Sequence, residues 1–457
     1  MISYRQLPNE MYTDISPTPV KNPEILVFNG SLADELGLDL GLWQDKELLS
    51  GNKLPEEFTP IAQAYYGHQF GHLVELGDGR AILLQEVLTS ADERFDIQLK
   101  GSGRTPYSRR GDGRATVGPM LREYLVSEAM HKLGIPTSRS LAVVSTGETV
   151  YRDKPYPGAI LTRVASSHLR VGTLQFANAH EVEREVSDYI IQRHFPECRE
   201  AQRPYLAMFE AIASRQAELI AKWLSFGFIH GVMNTDNMAL SGETIDYGPC
   251  AFMDIYQGDQ VFSSIDHLGR YRYNQQGDMA RWNLARLAET LLPIVDEDAQ
   301  TAVNLMNEKL EKFHEDFQFQ WLLQFSRKLG LEPSIESKQQ IEHFLVLLEE
   351  EKLDFTNAFL SLSEKPDEDL FQSEAGRTWQ KLWQKTRNRE VDLLQYNPRV
   401  IPRNRKLNEV LEAAEKGNLT PFLKMLEIVT DPYALSAPEE FMKPQDPDES
   451  FVTYCGT

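Results

Sequence analysis

Residues 230–248 carry the densest set of reactive side chains in the chain: His230-Gly-Val-Met-Asn-Thr-Asp236-Asn237, followed after a short gap by Ile245-Asp246-Tyr247-Gly248. Tyr205 to Phe226 has helical periodicity, so a helix feeds the chain into this polar loop. Met238 to Leu240 and Thr244 to Asp246 are expected to pair as a small hairpin around Ser241-Gly242, ending in Asp-Tyr-Gly. Asn237 at the loop's end and Asp246 at the hairpin's end are hard oxygen donors, of the type that hold a divalent ion against nucleotide phosphates. Asp236, directly before Asn237, is placed to take the proton of an attacking hydroxyl. The plainer alternative is a polar turn in which Asn and Asp act as caps. The Asp-Tyr-Gly beyond the hairpin favours the metal-binding reading, because it supplies the context such a site requires.

A second group lies in the first half. Arg80 to Leu88 and Phe95 to Lys100 read as neighbouring strands. Phe95, Ile97 and Leu99 alternate with Asp96, Gln98 and Lys100, so the apolar trio faces the core and Lys100 faces the other way with Gln98. Val117 to Leu133 follows as a helix with Val117, Leu121, Leu125 and Ala129 on one stripe, Thr116 as N-cap, and Gly134 and Pro136 beyond its end. That helix carries Glu123. Singly, a strand lysine and a helix glutamate are ordinary surface residues. The order strand-Lys, helix-Glu, loop-Asn, hairpin-Asp is the one by which kinase-fold phosphotransferases grip a nucleotide. Their template places Asp two residues after the loop's histidine, where this chain has Val232. An apolar side chain cannot act as base, which disfavours ordinary kinase chemistry and makes Asp236 the substitute.

Glycine and arginine surround these positions. GDGR occurs at Gly77 to Arg80 and again at Gly111 to Arg114, with Gly101-Ser-Gly-Arg-Thr-Pro-Tyr-Ser-Arg109-Arg110 between them. Glycines let backbone N–H groups approach phosphate oxygens, and arginines add bidentate charge-assisted bonds. Arg80, Arg104, Arg109, Arg110 and Arg114 concentrate positive charge near Lys100, while Arg163 and Arg170 bracket the exit towards the helical half. No GxxxxGK[ST] loop is present, which argues against a P-loop ATPase.

The elements that must position these groups are mixed. Further strands are expected at Ser140 to Ser145, at Thr149 to Arg152 after a Thr146-Gly-Glu turn, and at Ala159 to Val164. Helices begin near His180, with His180 to Phe195 and Tyr205 to Phe226, and dominate from Gly277 to about Val429. The expected fold class is α+β, a protein-kinase-like two-lobed fold with a largely helical C-terminal half. It divides into a sheet-rich nucleotide-binding lobe over 1–165, a helical lobe with the catalytic and metal-binding loop over 166–275, and a helical extension with a Cys-containing tail over 276–457. With 457 residues, 41% hydrophobic, and a net charge of −21, the chain has material for a large core and no basic face for nucleic acid. No run approaches the roughly 20 apolar residues of a membrane helix, and the start lacks signal-peptide character, so a cytoplasmic location is expected. Cys198, Cys250 and Cys455 form neither a disulfide framework nor a metal-ligand spacing.

Over most of its length the chain resembles one family, the selenoprotein-O (SelO/YdiU) pseudokinases. The resemblance is carried by YYGHQFGHLVELGDGRA, IQLKGSGRTPYSRRGDGRATVGPMLREYL, LTRVASSHLRVGT, FIHGVMNTDNMALSGETIDYGPCAFMD and NPRVIPRNRKLNEVLEAA. It implies a kinase-like fold that binds ATP in a flipped orientation and transfers AMP to Ser, Thr or Tyr hydroxyls of proteins. For some bacterial relatives it implies UMP from UTP, with Mn²⁺ in place of Mg²⁺. Carried over by motif, Gly77, Gly79, Arg80, Lys100, Asp112, Gly113, Arg163 and Arg170 contact the nucleotide; Asn237 and Asp246 hold the metal, Asp246 also reaching the nucleotide; and Asp236 accepts the proton. Many eukaryotic members carry selenocysteine near the C-terminus, where this chain has Cys455, and a reversible disulfide with Cys250 is the corresponding expectation. Two other functions stay open: a true kinase passing on the γ-phosphoryl group, and a catalytically silent nucleotide-binding scaffold.

Overall fold

The computed structural model describes residues 2–444 and 451–454. Its N-terminal part is a twisted antiparallel sheet. The strands are β1 (Tyr12–Asp14), β2 (Glu24–Phe28), β3 (Ile61–Gln63), β6 (Ala81–Leu88), β7 (Arg94–Lys100), β9 (Arg139–Tyr151) and β10 (Pro155–Ala165), in spatial order β1-β3-β6-β7-β10-β9-β2, with β8 (Ala115–Thr116) on β10. A separate hairpin, β4 (Tyr66–Gln69) with β5 (His72–Glu75), stands off this sheet. Three short helices, α1 (Gly30–Glu35), α2 (Leu40–Trp43) and α3 (Lys46–Leu49), cover one face, burying Leu32, Trp43 and Leu49 against Ile82, Leu99 and Ile160.

The other face carries α4 (Val117–Lys132), which is buried nearly all round: its predicted stripe meets the core, and Arg122, Glu123 and Glu128 are buried too. Thr116 occupies the N-cap position but makes no side-chain capping bond, and Gly134 takes φ 76° just past the helix, a left-handed turn suited to glycine. On β7 the apolar residues Ile97 and Leu99 enter the core as their alternation requires, yet Asp96, Gln98 and Lys100 on the opposite face are buried as well.

Two local expectations are corrected. The segments Ser140 to Ser145 and Thr149 to Arg152 belong to one strand, β9; Gly147, at φ 66°, allows residues 146–148 to bulge opposite Gly158 without ending it. Met238 to Leu240 and Thr244 to Asp246 do not pair with each other. Ala239 bridges Arg170 and Thr244 bridges Thr137, so the segment is spent tying the sheet to the helical part.

Helices follow from Val171 rather than His180: α5 (Val171–Ala179), α6 (Glu183–His194) and α7 (Pro204–Ser225). After the small pair β11 (Phe228–Ile229) and β12 (Ala251–Phe252) come α8 (Gln276–Val295), α9 (Ala299–Leu329), α10 (Ile335–Glu350), α11 (Phe355–Glu364) and α12 (Glu374–Thr386). The last helices are α13 (Asn404–Glu415), α14 (Thr420–Val429) and α15 (Glu439–Met442). The largest core cluster runs from Ile2 to Phe441 and joins α4 to α7, α8, α13 and α14. A second, aromatic cluster built on Phe325, Phe344, Phe359, Trp379 and Trp383 binds α9 to α12. Among the described residues no helix is long and apolar enough to cross a membrane.

One ionic clamp ties the C-terminal part to the segment after Asp246. Arg403 bonds Asp254 and Asp354, the latter at 2.6 and 3.0 Å, and Asn404 donates to the Phe252 carbonyl at 2.7 Å. All three charged groups are buried, so the clamp depends on each partner being present.

Candidate active site

β7 and β10 lie side by side, with Gln98 opposite Arg163, so Lys100 and Arg163 emerge on the same face of the sheet towards α4. Lys100 Nζ lies 2.7 Å from Glu123 and 3.1 Å from Asp246, and Arg163 holds the second Glu123 oxygen at 2.6 Å. Glu123 is thereby fixed by two cations, and the lysine is pinned between two carboxylates. Burial works against the charged form of Asp246, but Lys100, Arg163 and Arg80 outweigh it and hold the carboxyl far below the ordinary range. Asp246 is therefore anionic throughout physiological pH. Its φ of 67° is the left-handed region, costly for a non-glycine residue and held by the surrounding structure.

The 230–237 loop is positioned from two sides. His230 stacks on Trp223 with centroids 5.3 Å apart, and its Nε2 meets the Ile245 carbonyl at 2.9 Å, linking the start of the loop to the Asp246 segment. From above, hairpin β4–β5 clamps the loop: His68 N–H donates to Thr235 Oγ1 at 2.7 Å and Phe70 N–H to Asn234 Oδ1 at 3.1 Å. Tyr271 also donates to Asn234, at 2.6 Å, and Thr235 donates to Gln175 at 2.8 Å.

Asp236 sits beneath this hairpin. Any Cβ at position 67 would overlap the Asp236 carboxylate, so only glycine lets β4 pass so close. Asp236 Oδ1 is buried without a hydrogen-bond partner. Burial raises the carboxyl to about 6, with the Asp246 charge adding to the rise and Arg170 and Arg109 opposing it. Val232 is buried and apolar, as its residue type requires. Asn237 commits its Nδ2 to the Val232 carbonyl at 3.0 Å, leaving Oδ1 as its free donor atom.

A cleft of about 560 Å³ takes in Gly77, Gly79, Arg80, Lys100, Asp112, Gly113, Arg163, Arg170, Asp236 and Asp246, together with Arg109 and Arg110. Asn237 does not line it. Arg170 stacks 4.3 Å over Tyr65 and donates to the Asp236 carbonyl at 3.2 Å. Asp112 is turned outward, bonded by Arg152 at 2.8 and 3.0 Å, and the Arg152 guanidinium lowers its carboxyl. Side chains are excluded at the glycines: a Cβ at Gly77 would strike the Tyr107 ring and one at Gly113 the Gly103 carbonyl. Residues that sequence reasoning passed over also line the cleft, chiefly Tyr65, Asp78, Tyr107 and Arg152. Asp78 is buried, accepts from Gln63 N–H at 3.1 Å and Gln98 at 3.2 Å, and is raised by burial. Its place inside GDGR was the one available signal. A second cavity of about 420 Å³ shares the Arg80, Lys100 and Asp246 walls and opens between α4 and α13.

Among the described residues no group of three or more His, Cys, Asp and Glu could hold a metal. The amide oxygen of Asn237 and the ionised Asp246 carboxylate are nonetheless hard oxygens of the type that a divalent cation takes together with water and phosphate. Cys250 is a free, buried thiol pushed up to about 11 by burial; Cys455, its expected partner, lies outside the described residues.

A lysine held by a buried glutamate, an ionised carboxylate beside it, and an arginine-lined cleft are the parts with which a transferase grips nucleotide phosphates. The comparisons agree with that class. Residues 2–430 match the family model described as protein adenylyltransferase SelO, and the chain belongs to the SelO family. It is 50% identical over 475 aligned residues to the protein nucleotidyltransferase YdiU of Bacillus cereus (strain B4264), covering 100% of this chain and 97% of the relative. The protein of the same name from Bacillus mycoides (strain KBAB4) is related to the same extent, at 50% identity over 475 residues.

Proposed function

We propose that this chain transfers AMP from ATP to Ser, Thr or Tyr hydroxyls of protein substrates and releases pyrophosphate. The observation that carries the reading is Asp236: a half-dry carboxylate near pKa 6, on the cleft wall shared with Asp246 and Lys100, in a loop whose usual base position is Val232. A carboxylate of that basicity is ionised at pH 7 and close to the best compromise for general-base work. It takes the hydroxyl proton as the oxygen attacks the α-phosphorus; the bond to the bridging oxygen breaks, and the electron pair leaves with pyrophosphate. Lys100, Arg163 and Arg170, with the backbone around Gly77, Gly79 and Gly113, hold the phosphates and neutralise charge as it builds. Asp112 orients Arg152 at the mouth. Asn237 and Asp246 would hold Mg²⁺ or Mn²⁺, whose contribution when bound is to polarise phosphate oxygens.

The architecture is proposed to be kinase-like, with the sheet and α4 forming the nucleotide lobe and residues 166–275 bearing the loop. UTP fits the same phosphate grip, so UMP transfer is part of the proposal. The test incubates the protein with ATP labelled at the α- or γ-phosphate, with Mg²⁺ or Mn²⁺, alongside Asp246→Ala. Protein-bound label from the α-position alone, absent in the variant, supports nucleotidyl transfer. Label from the γ-position alone makes it a kinase, and none from either position returns it to a scaffold.

A further inference from the structure

The turn from Thr105 to Gly111 borders the cleft, and the first GDGR stretch holds it there. Thr105 Oγ1 donates to the Asp78 carbonyl at 2.7 Å, and Ser108 Oγ donates to the Gly79 carbonyl. Within the turn, Ser108 N–H donates to the Thr105 carbonyl at 3.1 Å and Gly111 N–H to the Ser108 carbonyl at 2.7 Å. These bonds keep Arg109 at φ 52°, a left-handed conformation that is costly for a non-glycine residue. Arg109 and Arg110 are both exposed, and both line the cleft that Asp236 lines. The Arg109 charge is near enough to Asp236 to favour its ionised form.

Other cations of the cleft are already engaged. Lys100 and Arg163 share Glu123, Arg152 holds Asp112, Arg170 bonds the Asp236 carbonyl, and Arg114 bonds the Thr18 carbonyl. Among the described residues, Arg109 and Arg110 have neither an ion pair nor a side-chain hydrogen bond. The lining carboxylates do not compete for them: Asp246 is held by Lys100, Asp112 by Arg152, and Asp78 by Gln98 and the Gln63 N–H. Depth separates the two groups as well. Lys100, Arg163 and Arg170 are buried, where a small ligand's phosphates reach, whereas Arg109 and Arg110 lie at the surface, where a macromolecule arrives. The chain as a whole carries −21 and repels acidic partners, so two unpaired guanidinium groups give an acidic segment one place to bind.

Resting on the nucleotidyl-transfer reading, we infer that Arg109 and Arg110 select the acceptor: they bind carboxylates flanking the Ser, Thr or Tyr hydroxyl of the protein substrate and bring that hydroxyl to Asp236. Guanidinium groups suit this task because each can hold a carboxylate through two parallel bonds. The substrate class is then acidic segments rather than exposed hydroxyls in general.

The test gives the full chain Mg²⁺, ATP labelled at the α-phosphate, and synthetic peptides of one length. Each peptide has a single central serine, flanked by glutamate, by glutamine or by lysine. The variants are Arg109→Asn, whose side chain tolerates left-handed backbone, Arg110→Gln, and the charge-reversed Arg110→Glu. In wild type, kcat/KM for the glutamate peptide should exceed that for the glutamine peptide by about tenfold, mainly through KM. Each neutral variant should remove about threefold of that preference, and Arg110→Glu should turn it towards lysine. The preference should fade in about 1 M salt, where the Debye length is about 3 Å. Calorimetric affinities for ATP and inorganic tripolyphosphate should stay within about twofold in every variant. Equal use of the glutamate and glutamine peptides by wild type, or a preference that survives all three variants, overturns the inference and leaves the transfer reading standing. A fall in ATP and tripolyphosphate affinity also overturns it, by giving the pair to the phosphates. Label on the enzyme itself but on no peptide does the same, and no label on any peptide or protein removes the transfer reading too.

Discussion

Asp236→Asn should make the protein more stable while ending transfer. The folded state holds the Asp236 carboxyl at about 6 against an ordinary 3.8, a difference worth about 3 kcal/mol at 1.36 kcal/mol per decade. The sign follows from proton binding. The folded state binds this proton more tightly than the unfolded chain does, so its contribution is complete below pH 4 and is lost as pH rises through 6. Asparagine has no charge to desolvate, so the variant lacks that loss. The cleft side of the residue is open to water, which screens part of the effect, and about 1–2 kcal/mol is the expected gain at pH 8. The gain should shrink towards zero as pH approaches 4. Urea unfolding of both proteins from pH 4 to 8, in chelator to exclude divalent ions, measures it, and a labelled-ATP assay checks turnover. A variant that is no more stable at pH 8, or a gap that ignores pH, would refute the argument that burial rather than some other feature sets this carboxyl.

Three further outcomes can be checked. Glu123→Gln leaves the buried cations Lys100 and Arg163 without their shared anion; it should cost about 3 kcal/mol in a denaturant melt and lower transfer by at least about tenfold. Gly113→Ala combines φ 70° with a Cβ that overlaps the Gly103 carbonyl; the 101–114 loop must shift, and titration should show ATP affinity falling by about tenfold. Arg403→Met removes the guanidinium that bonds Asp354 twice and also meets Asp254; unfolding experiments should show a loss of about 3 kcal/mol, partly recovered by adding Asp354→Asn.

Much of the site was legible because it rests on local rules. Period two on β7 put Lys100 opposite Ile97 and Leu99, and helical spacing placed Glu123 on α4. What the sequence could not say is that the polar face of β7 is buried: alternation only turns Asp96, Gln98 and Lys100 away from the apolar trio, and tertiary packing alone distinguishes solvent from a site. The expected 238–246 hairpin failed for a related reason, since its two segments bond Arg170 and Thr137, remote in sequence. Gly147 looked like the end of a strand because glycine breaks strands and bulges them by the same freedom. The clamp of β4–β5 over Asp236 had no periodic signature, because it is built from backbone N–H groups meeting Thr235 and Asn234. Arg403 was within a quoted motif, but nothing in its neighbourhood names Asp254 or Asp354 as partners.

The packing of α13 on α4 sets a timetable for biosynthesis. Lys100, Glu123 and Asp246 are all translated well before Asn404 to Glu415, yet the face of α4 beside Glu123 and the Asp254 clamp are finished only by those late residues. At roughly 5–20 residues per second, the ribosome needs roughly 10–30 s to travel from Asp246 to the end of α13. During that interval the nascent chain holds every charged group of the cleft without the helix that packs on α4 behind Glu123. A transcript cut short before Arg403, or a chain clipped there by a protease, therefore yields a fragment with an open, under-supported site rather than an enzyme with a dispensable tail missing.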